Sequence, residues 1–441
     1  MNLIDTKYGT ISGVIENGYT VFRGIPYAKP PIGDLRFHAP EEIDPWDGVY
    51  QADTFKNKCM QSELPKEISF YIKEFYSNPE FMPDCSEDSL YLNIWTPAKE
   101  TTEKLPVAFW IHGGGFLGGF GSEMEFDGEA FCKQGVILVT INYRLGLFGF
   151  LAHEWLSEEN EKGISGNYGI MDQIMALKWV YENIEAFGGN PENITIFGQS
   201  AGAVSVQTLI SSSLTGNMIN KAILQSGGGY KSPIIRNTNL KEAEKIGEEF
   251  INLSNIKSLK ELREKPAGEI LVLIEDYYLH RRQTGKEGLF FSPIIDGHLL
   301  IDGYDKLIEK GEIKDIPYML GCCKDDISVT SEGGENSPLY QGCIGFSHKV
   351  EDIGRKPAYV YYFTRDLPGD DSGAFHSGEL WYMFGTLKRN WRPNLTADFD
   401  LSERMVSAWT NFMKNGEPNT NNHKWTPCSL NYSFVKEFDI E

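Results

Sequence analysis

The chain has 441 residues, 41% of them hydrophobic, enough apolar material for a large buried core. Its formal charge of -21 argues against binding nucleic acid or an anionic membrane surface, both of which select basic proteins, and asks for nothing beyond solubility. No basic segment followed by an apolar run opens the chain, and no stretch approaches the ~18 apolar residues of a membrane span.

The seven cysteines (Cys59, Cys85, Cys132, Cys322, Cys323, Cys343 and Cys428) are odd in number and lack Cys-x-x-Cys spacing, which suits reduced thiols in a cytoplasm. The sequons at Asn193, Asn252, Asn394 and Asn431 are read as chance.

Residues 7–28 alternate apolar and polar positions around turns and read as a short antiparallel sheet. Residues 59–88 read as a loop, and Ser89–Trp95 as a strand. The continuous apolar run Val107–Ile111 is of strand length and feeds His112-Gly-Gly-Gly-Phe116. Three glycines after a buried strand let successive N–H groups converge on one point, as half of an oxyanion hole requires. Gly113, Gly115 and Gly118 also satisfy G-x-G-x-x-G. No helix starts there and no acidic residue follows at the ribose distance, so a dinucleotide site is rejected.

Val136–Asn142 is the next buried strand. Residues 170–184 carry Ile170, Ile174, Leu177, Val180 and Ile184 at helical spacing, ended by Phe187-Gly-Gly-Asn-Pro191. Then comes Ile194-Thr-Ile-Phe-Gly-Gln-Ser-Ala-Gly202: a β-branched run, Gly-x-Ser-x-Gly, and a helix-like segment. That is the sequence form of a nucleophile elbow, with Ser200 at its tip and the Ala201 N–H free at the start of the next helix.

Strands are expected again at 222–226, 317–321 and 357–363, the last being the final clear strand. Residues 240–290 read as charged helices, 331–346 as a Gly/Ser/Pro-rich loop, and 402–414 as an amphipathic helix closed by Gly416. Strand and helix alternate through the middle of the chain, which predicts a parallel sheet with helices on both faces. No linker or repeat divides residues 1–441, so a single domain is expected.

A serine hydroxyl needs an imidazole to take its proton and a carboxylate to orient that imidazole. His38, His112 and His153 precede the serine, whereas the expected chain order is serine, acid, histidine. His280 lies among charged helices, His348 beside Lys349, and His423 in a polar tail. His376 follows the last sheet strand and is the preferred base, with His298 the runner-up. The acid should follow a strand between Ser200 and His376. Asp325 and Asp326 both satisfy this, with Asp296 the alternative, and spacing does not choose between the first two.

With these residues in place the chain resembles the type-B carboxylesterases, the family of para-nitrobenzyl-type esterases, animal carboxylesterases and acetylcholinesterase. Residues 187–202 fit that family's active-site signature at every constrained position. Residues 87–95 (Glu-Asp-Ser-Leu-Tyr-Leu-Asn-Ile-Trp) fit its second signature except at Ser89, where the family usually has cysteine.

The resemblance implies an α/β-hydrolase fold, with a mostly parallel central sheet flanked by helices. Gly321-Cys-Cys-Lys-Asp-Asp326 is similar to the family's acid motif, whose last residue is the triad acid, which selects Asp326. Gly373–Leu380 resembles the histidine motif and supports His376. Gly114, Gly115 and Ala201 become the implied oxyanion donors, with Ser226 and Gln199 as supporting residues. Arg36–Glu87 and Arg144–Asp172 are implied structural ion pairs. The family's N-terminal disulfide would join Cys59 to position 89, which is serine here; Cys85 is a possible substitute, and a reduced loop is the expectation. The short segment between Asp326 and His376 implies a reduced helical cap and a more open site.

The function expected is therefore hydrolysis of a small-molecule carboxylic ester through an acyl-enzyme, with no cofactor and no metal. Carbamate, amide or thioester hydrolysis is the alternative, and a non-catalytic binding protein of the same fold a further one.

Overall fold

The computed structural model describes residues 1–62, 69–286, 288, 290–327, 334–420 and 424–440. His423 lies outside them, as do residues 63–68 of the expected 59–88 loop and residues 331–333 of the expected 331–346 loop.

The central sheet takes its strands in chain order from β1 (Val14–Glu16), β2 (Tyr19–Pro26), β3 (Tyr91–Thr96), β4 (Leu105–Ile111), β5 (Ile137–Ile141), β6 (Gly189–Gln199), β7 (Lys221–Gln225), β8 (Tyr318–Cys323), β9 (Tyr359–Phe363) and β10 (Lys436–Phe438). In space they run β1-β2-β3-β5-β4-β6-β7-β8-β9-β10. The first three pairings are antiparallel and every pairing from β5 to β10 is parallel. Strand β10 is an edge strand beyond the last one expected from the sequence. The helices of ten residues or more are α1 (Tyr168–Asn183), α2 (Ala201–Ile210), α3 (Leu240–Leu253), α4 (Ala267–Gln283), α5 (Pro338–Asp352) and α6 (Thr396–Asn415).

The central strands are apolar without a break because both faces are covered. On β4, Val107, Phe109 and Ile111 join one core cluster, while Ala108 and Trp110 join the other. On β6, Ile194 and Ile196 point to the first and Phe197 to the second. Helix α1 packs Ala176, Leu177 and Val180 into the first; α6 packs Met405, Trp409 and Phe412 into the second. Gly416 ends α6 with φ 76°, as a left-handed cap does.

The expectation for residues 331–346 is corrected. Much of the stretch read as loop at 331–346 is helical, since α5 covers Pro338–Asp352. Pro338 opens it, and Ser337 caps it by accepting from the Tyr340 N–H at 3.2 Å. Gly342 is tolerated inside because its bare backbone lets the 230 segment approach: Tyr230 N donates to Gly342 O at 2.9 Å. Among the described residues, a short 3-10 turn at Gly334–Asn336, α5 and β9 are the elements between Asp326 and His376.

Both implied ion pairs form. Arg36 binds Glu87 through two bonds of 2.6 and 2.5 Å and spends Nη1 on the carbonyls of Leu262, Arg263 and Lys265. Asp172 of α1 is fully buried and accepts from the backbone N, Nε and Nη2 of Arg144 at 3.0, 2.8 and 2.6 Å. All seven cysteines are unpaired. Ser89 Oγ donates to Cys59 Sγ at 3.1 Å, so a hydrogen bond occupies the place of the family disulfide; Cys85 pairs in register with Lys58 and is exposed. Among the described residues no helix is long and apolar enough to cross a membrane.

Removing one partner of a buried, hydrogen-bonded pair strands the other charge in a low-dielectric interior. Asp172→Ala should therefore cost about 3–5 kcal/mol of stability, read as a lowered denaturant midpoint with the native m-value retained.

Candidate active site

The loops that follow β4, β6, β7, β8 and β9 all leave the carboxyl ends of parallel strands, so they meet at one edge of the sheet. Ser200 joins β6 to α2 with φ 56° and ψ −124°, a conformation costly for any residue with a Cβ. Its own backbone holds it there. Ser200 N donates to Gln225 O at 2.8 Å, and Ser200 O accepts from Ala203 N and Val204 N at 2.9 and 3.1 Å. The flanking positions have no room for a side chain: a Cβ on Gly202 would lie 2.1 Å from Ile111 O, and one on Gly198 2.6 Å from the Gly202 carbonyl.

The glycine loop after β4 lies directly against this turn. A Cβ on Gly113 would come within 3.2 Å of Ser200 Cβ. Gly114 and Gly115 have φ 95° and 64°. Among the described residues no acceptor is bonded to the N–H of Gly114, Gly115 or Ala201. His112 props the loop rather than titrating: its Nδ1 bonds Gly113 O at 2.9 Å, its ring stacks on Tyr143, and burial lowers its pKa to about 4.

The other two residues also arrive. His376 Nδ1 is 2.5 Å from Asp326 Oδ1, with both side chains almost fully buried. The carboxylate is fixed in turn, since Cys323 N donates to its Oδ2 at 2.9 Å and Ile327 N to its Oδ1 at 2.7 Å. An Nδ1–H donated to Asp326 leaves Nε2 as the acceptor. The Gln199 amide sits 3.2 Å from that Nε2, and among the described residues Ser200 Oγ carries no hydrogen bond of its own.

Asp325 does a different job: its backbone N bonds Ala374 O, and its Oδ2 accepts from Ala374 N at 2.9 Å, tying the acid loop to the histidine loop. Asp296 accepts from the backbone of His298 and Leu299 within its own turn, and His298 bonds Lys162, so neither enters the site.

Ser226 is buried at the end of β7 with φ 51°, and its Oγ has no partner among the described residues. Glu379, which the sequence reading passed over although it lies three residues beyond His376, is close enough to Asp326 and His376 to feel both charges. Fully buried, Glu379 accepts from Cys323 Sγ at 3.0 Å and Gln225 Nε2 at 3.4 Å. Burial pushes its carboxyl up, and the nearby Asp326 charge adds to this. Also unanticipated is the aromatic helix Ser69–Phe75. Phe70 packs edge-on against Phe375, and Phe75 stacks on Trp381, so this segment roofs the histidine side.

The family model described as carboxylesterase family matches residues 1–341 and 339–441. The chain belongs to the carboxylesterase family. A para-nitrobenzyl esterase of Bacillus subtilis (strain 168) is 33% identical over 96% of this chain and 92% of its own length. A fumonisin B1 esterase of Sphingopyxis macrogoltabida is 32% identical over 94% and 82%, and carboxylesterase 4A of Bos taurus 30% over 95% and 87%.

Among solved structures, a thermophilic PNB esterase superposes with a TM-score of 0.86 at 30% identity, covering 99% of this chain and 96% of that one. A Geobacillus stearothermophilus carboxylesterase gives 0.82 at 30%, covering 100% and 96%. This carboxylesterase thus has the α/β-hydrolase fold and is a carboxylic ester hydrolase.

Because the elbow leaves no volume at Gly202, one added methyl should be felt there. Gly202→Ala should lower stability by about 1–3 kcal/mol or more, measured as a drop in the denaturant midpoint.

Proposed function

We propose that this carboxylesterase works by two-step acyl transfer. Ser200 Oγ attacks the ester carbonyl while His376 Nε2 takes its proton, and the carbonyl electrons move onto oxygen. Asp326 holds the ring in the tautomer that leaves Nε2 free and stabilises the imidazolium. The Gly114, Gly115 and Ala201 N–H groups receive the oxyanion, with no reorganisation needed as charge develops. Collapse of the tetrahedral species expels the alcohol, which takes the proton from His376. Water then repeats the sequence on the acyl-Ser200 ester and releases the acid.

The observation that carries this reading is a buried 2.5 Å Asp326–His376 contact at the same sheet edge as a strained serine packed against a glycine loop whose N–H groups are unbonded among the described residues. The substrate is a small carboxylic ester, and the named activities of the relatives make a para-nitrobenzyl ester the first probe to use. The unpaired cysteines, several of them deeply buried, support a reducing compartment, and we infer the cytoplasm.

Ser200→Ala should lower kcat on such an ester by on the order of 10⁴-fold or more. Wild-type turnover in clean Ser200→Ala protein would refute the assignment.

Gln199 gives a second test. A carboxylate at 3.2 Å from Nε2 would favour the imidazolium, and the base must be neutral to act. Gln199→Glu should therefore shift the acid limb of the kcat/KM profile upward by about one pH unit or more.

A further inference from the structure

Two buried glutamates lie just past the glycine loop and take no part in the acyl transfer proposed above. Glu123 Oε1 accepts from Phe120 N at 2.9 Å and from Tyr76 OH at 3.2 Å. It thus joins the outer end of the glycine loop to the segment that roofs the site. Gln61, which precedes that roofing helix in the chain, makes a second tie to the loop: its amide accepts from Gly119 N at 3.0 Å and donates to Gly119 O at 3.1 Å. Glu125, two residues on and 2% exposed, lies within hydrogen-bonding reach of Glu123. Its Oε2 is buried and meets no donor among the described residues.

An ionised carboxylate buried without a donor, next to a second carboxylate, is among the most costly arrangements in a protein interior. One proton placed between the two groups removes the conflict. We propose that Glu125 is held as a neutral carboxylic acid donating its proton to Glu123, and that Glu123 is thereby a positioning residue for the oxyanion loop. The inference rests on the acyl-transfer reading of the site.

The surroundings agree with one shared proton. Glu123 faces Tyr76 just past the roof helix, Lys58 from earlier in the chain, and Tyr143 from the loop after β5. Glu125 faces Glu74, whose carboxylate is already engaged by Arg392 and by the indole N–H groups of Trp381 and Trp391; Arg392 also holds Asp370. Burial raises Glu123 to about 6, while burial and the Glu123 charge push Glu125 well above the usual carboxylate range. At neutral pH Glu123 is the acceptor and Glu125 the donor. As pH rises further the proton leaves Glu125, two adjacent carboxylates repel, and the loop loses its fixed geometry.

The test compares Glu125→Gln, which keeps a donor that cannot ionise, with Glu125→Leu, which removes it. Glu125→Gln should keep kcat near the wild-type value at neutral pH and move the alkaline limb of kcat upward. Glu125→Leu should lower kcat by about tenfold or more, because a misplaced oxyanion loop acts on the transition state. Infrared difference spectra of wild type against Glu125→Gln at neutral pH should contain the carbonyl stretch of a protonated carboxylic acid. Absence of that band overturns the proposal, as does a Glu125→Leu enzyme with the kcat and pH profile of Glu125→Gln. If Glu125→Leu does not fold, the band and the Glu125→Gln profile decide alone. Loss of the acyl-transfer reading would register separately, as ester turnover independent of Ser200, and would leave the infrared readout intact.

Discussion

The site depends on one crowded contact: the backbone of Gly202 pressed against the carbonyl of Ile111, with Gly198 beneath it. That contact forces β6 to reverse into α2 within a single residue, and Ser200 takes the unfavourable φ of 56° as a result. The strain persists because the surroundings over-determine it. Gln225 O holds Ser200 N, the first turn of α2 holds Ser200 O, and Gly227 comes so close that a Cβ there would lie 2.1 Å from that same oxygen.

From that anchor the remaining parts are supplied by neighbouring strands. A parallel sheet delivers all its strand ends to one edge, so the glycine loop of β4, the acid of β8 and the histidine beyond β9 converge without long-range coincidence. The two aspartates after β8 divide the work. Asp326 bonds the imidazole, and Asp325 bonds the backbone of Ala374, two residues before it. One side chain sets the tautomer; the other sets where the ring stands.

A third layer holds the site from outside. Gln61 bonds the glycine loop directly, the roof segment reaches it through Tyr76 on Glu123, and that segment is pinned beyond by the buried Glu74–Arg392 pair. The geometry of the glycine loop is therefore coupled to the packing of a segment far from it in sequence. These contacts left little trace in the chain. Residues 59–88 have turn-rich composition and no clear period, so the reading as loop missed the helix Ser69–Phe75. The 338–346 helix was missed for a related reason: Gly342 and Gly345 weaken helix propensity, and what compensates is a backbone contact with Tyr230, which no local pattern encodes.

What the sequence determined alone is what short-range sterics and periodicity control. Continuous apolar runs meant strands buried on both faces. Glycines at 198 and 202 around Ser200 meant a turn no other residue could make, and a triple glycine after β4 meant converging N–H groups. The choice among acids and bases was narrowed by chain order and then by family resemblance. Tertiary structure decided the rest, because a carboxylate's role depends on what surrounds it, and burial, partners and nearby charge are set by segments distant along the chain. Asp325 and Asp326 are adjacent in sequence and do different jobs. Glu379 near the pair, and Glu123 with Glu125 beside the glycine loop, acquire their character only once folding has taken water away from them.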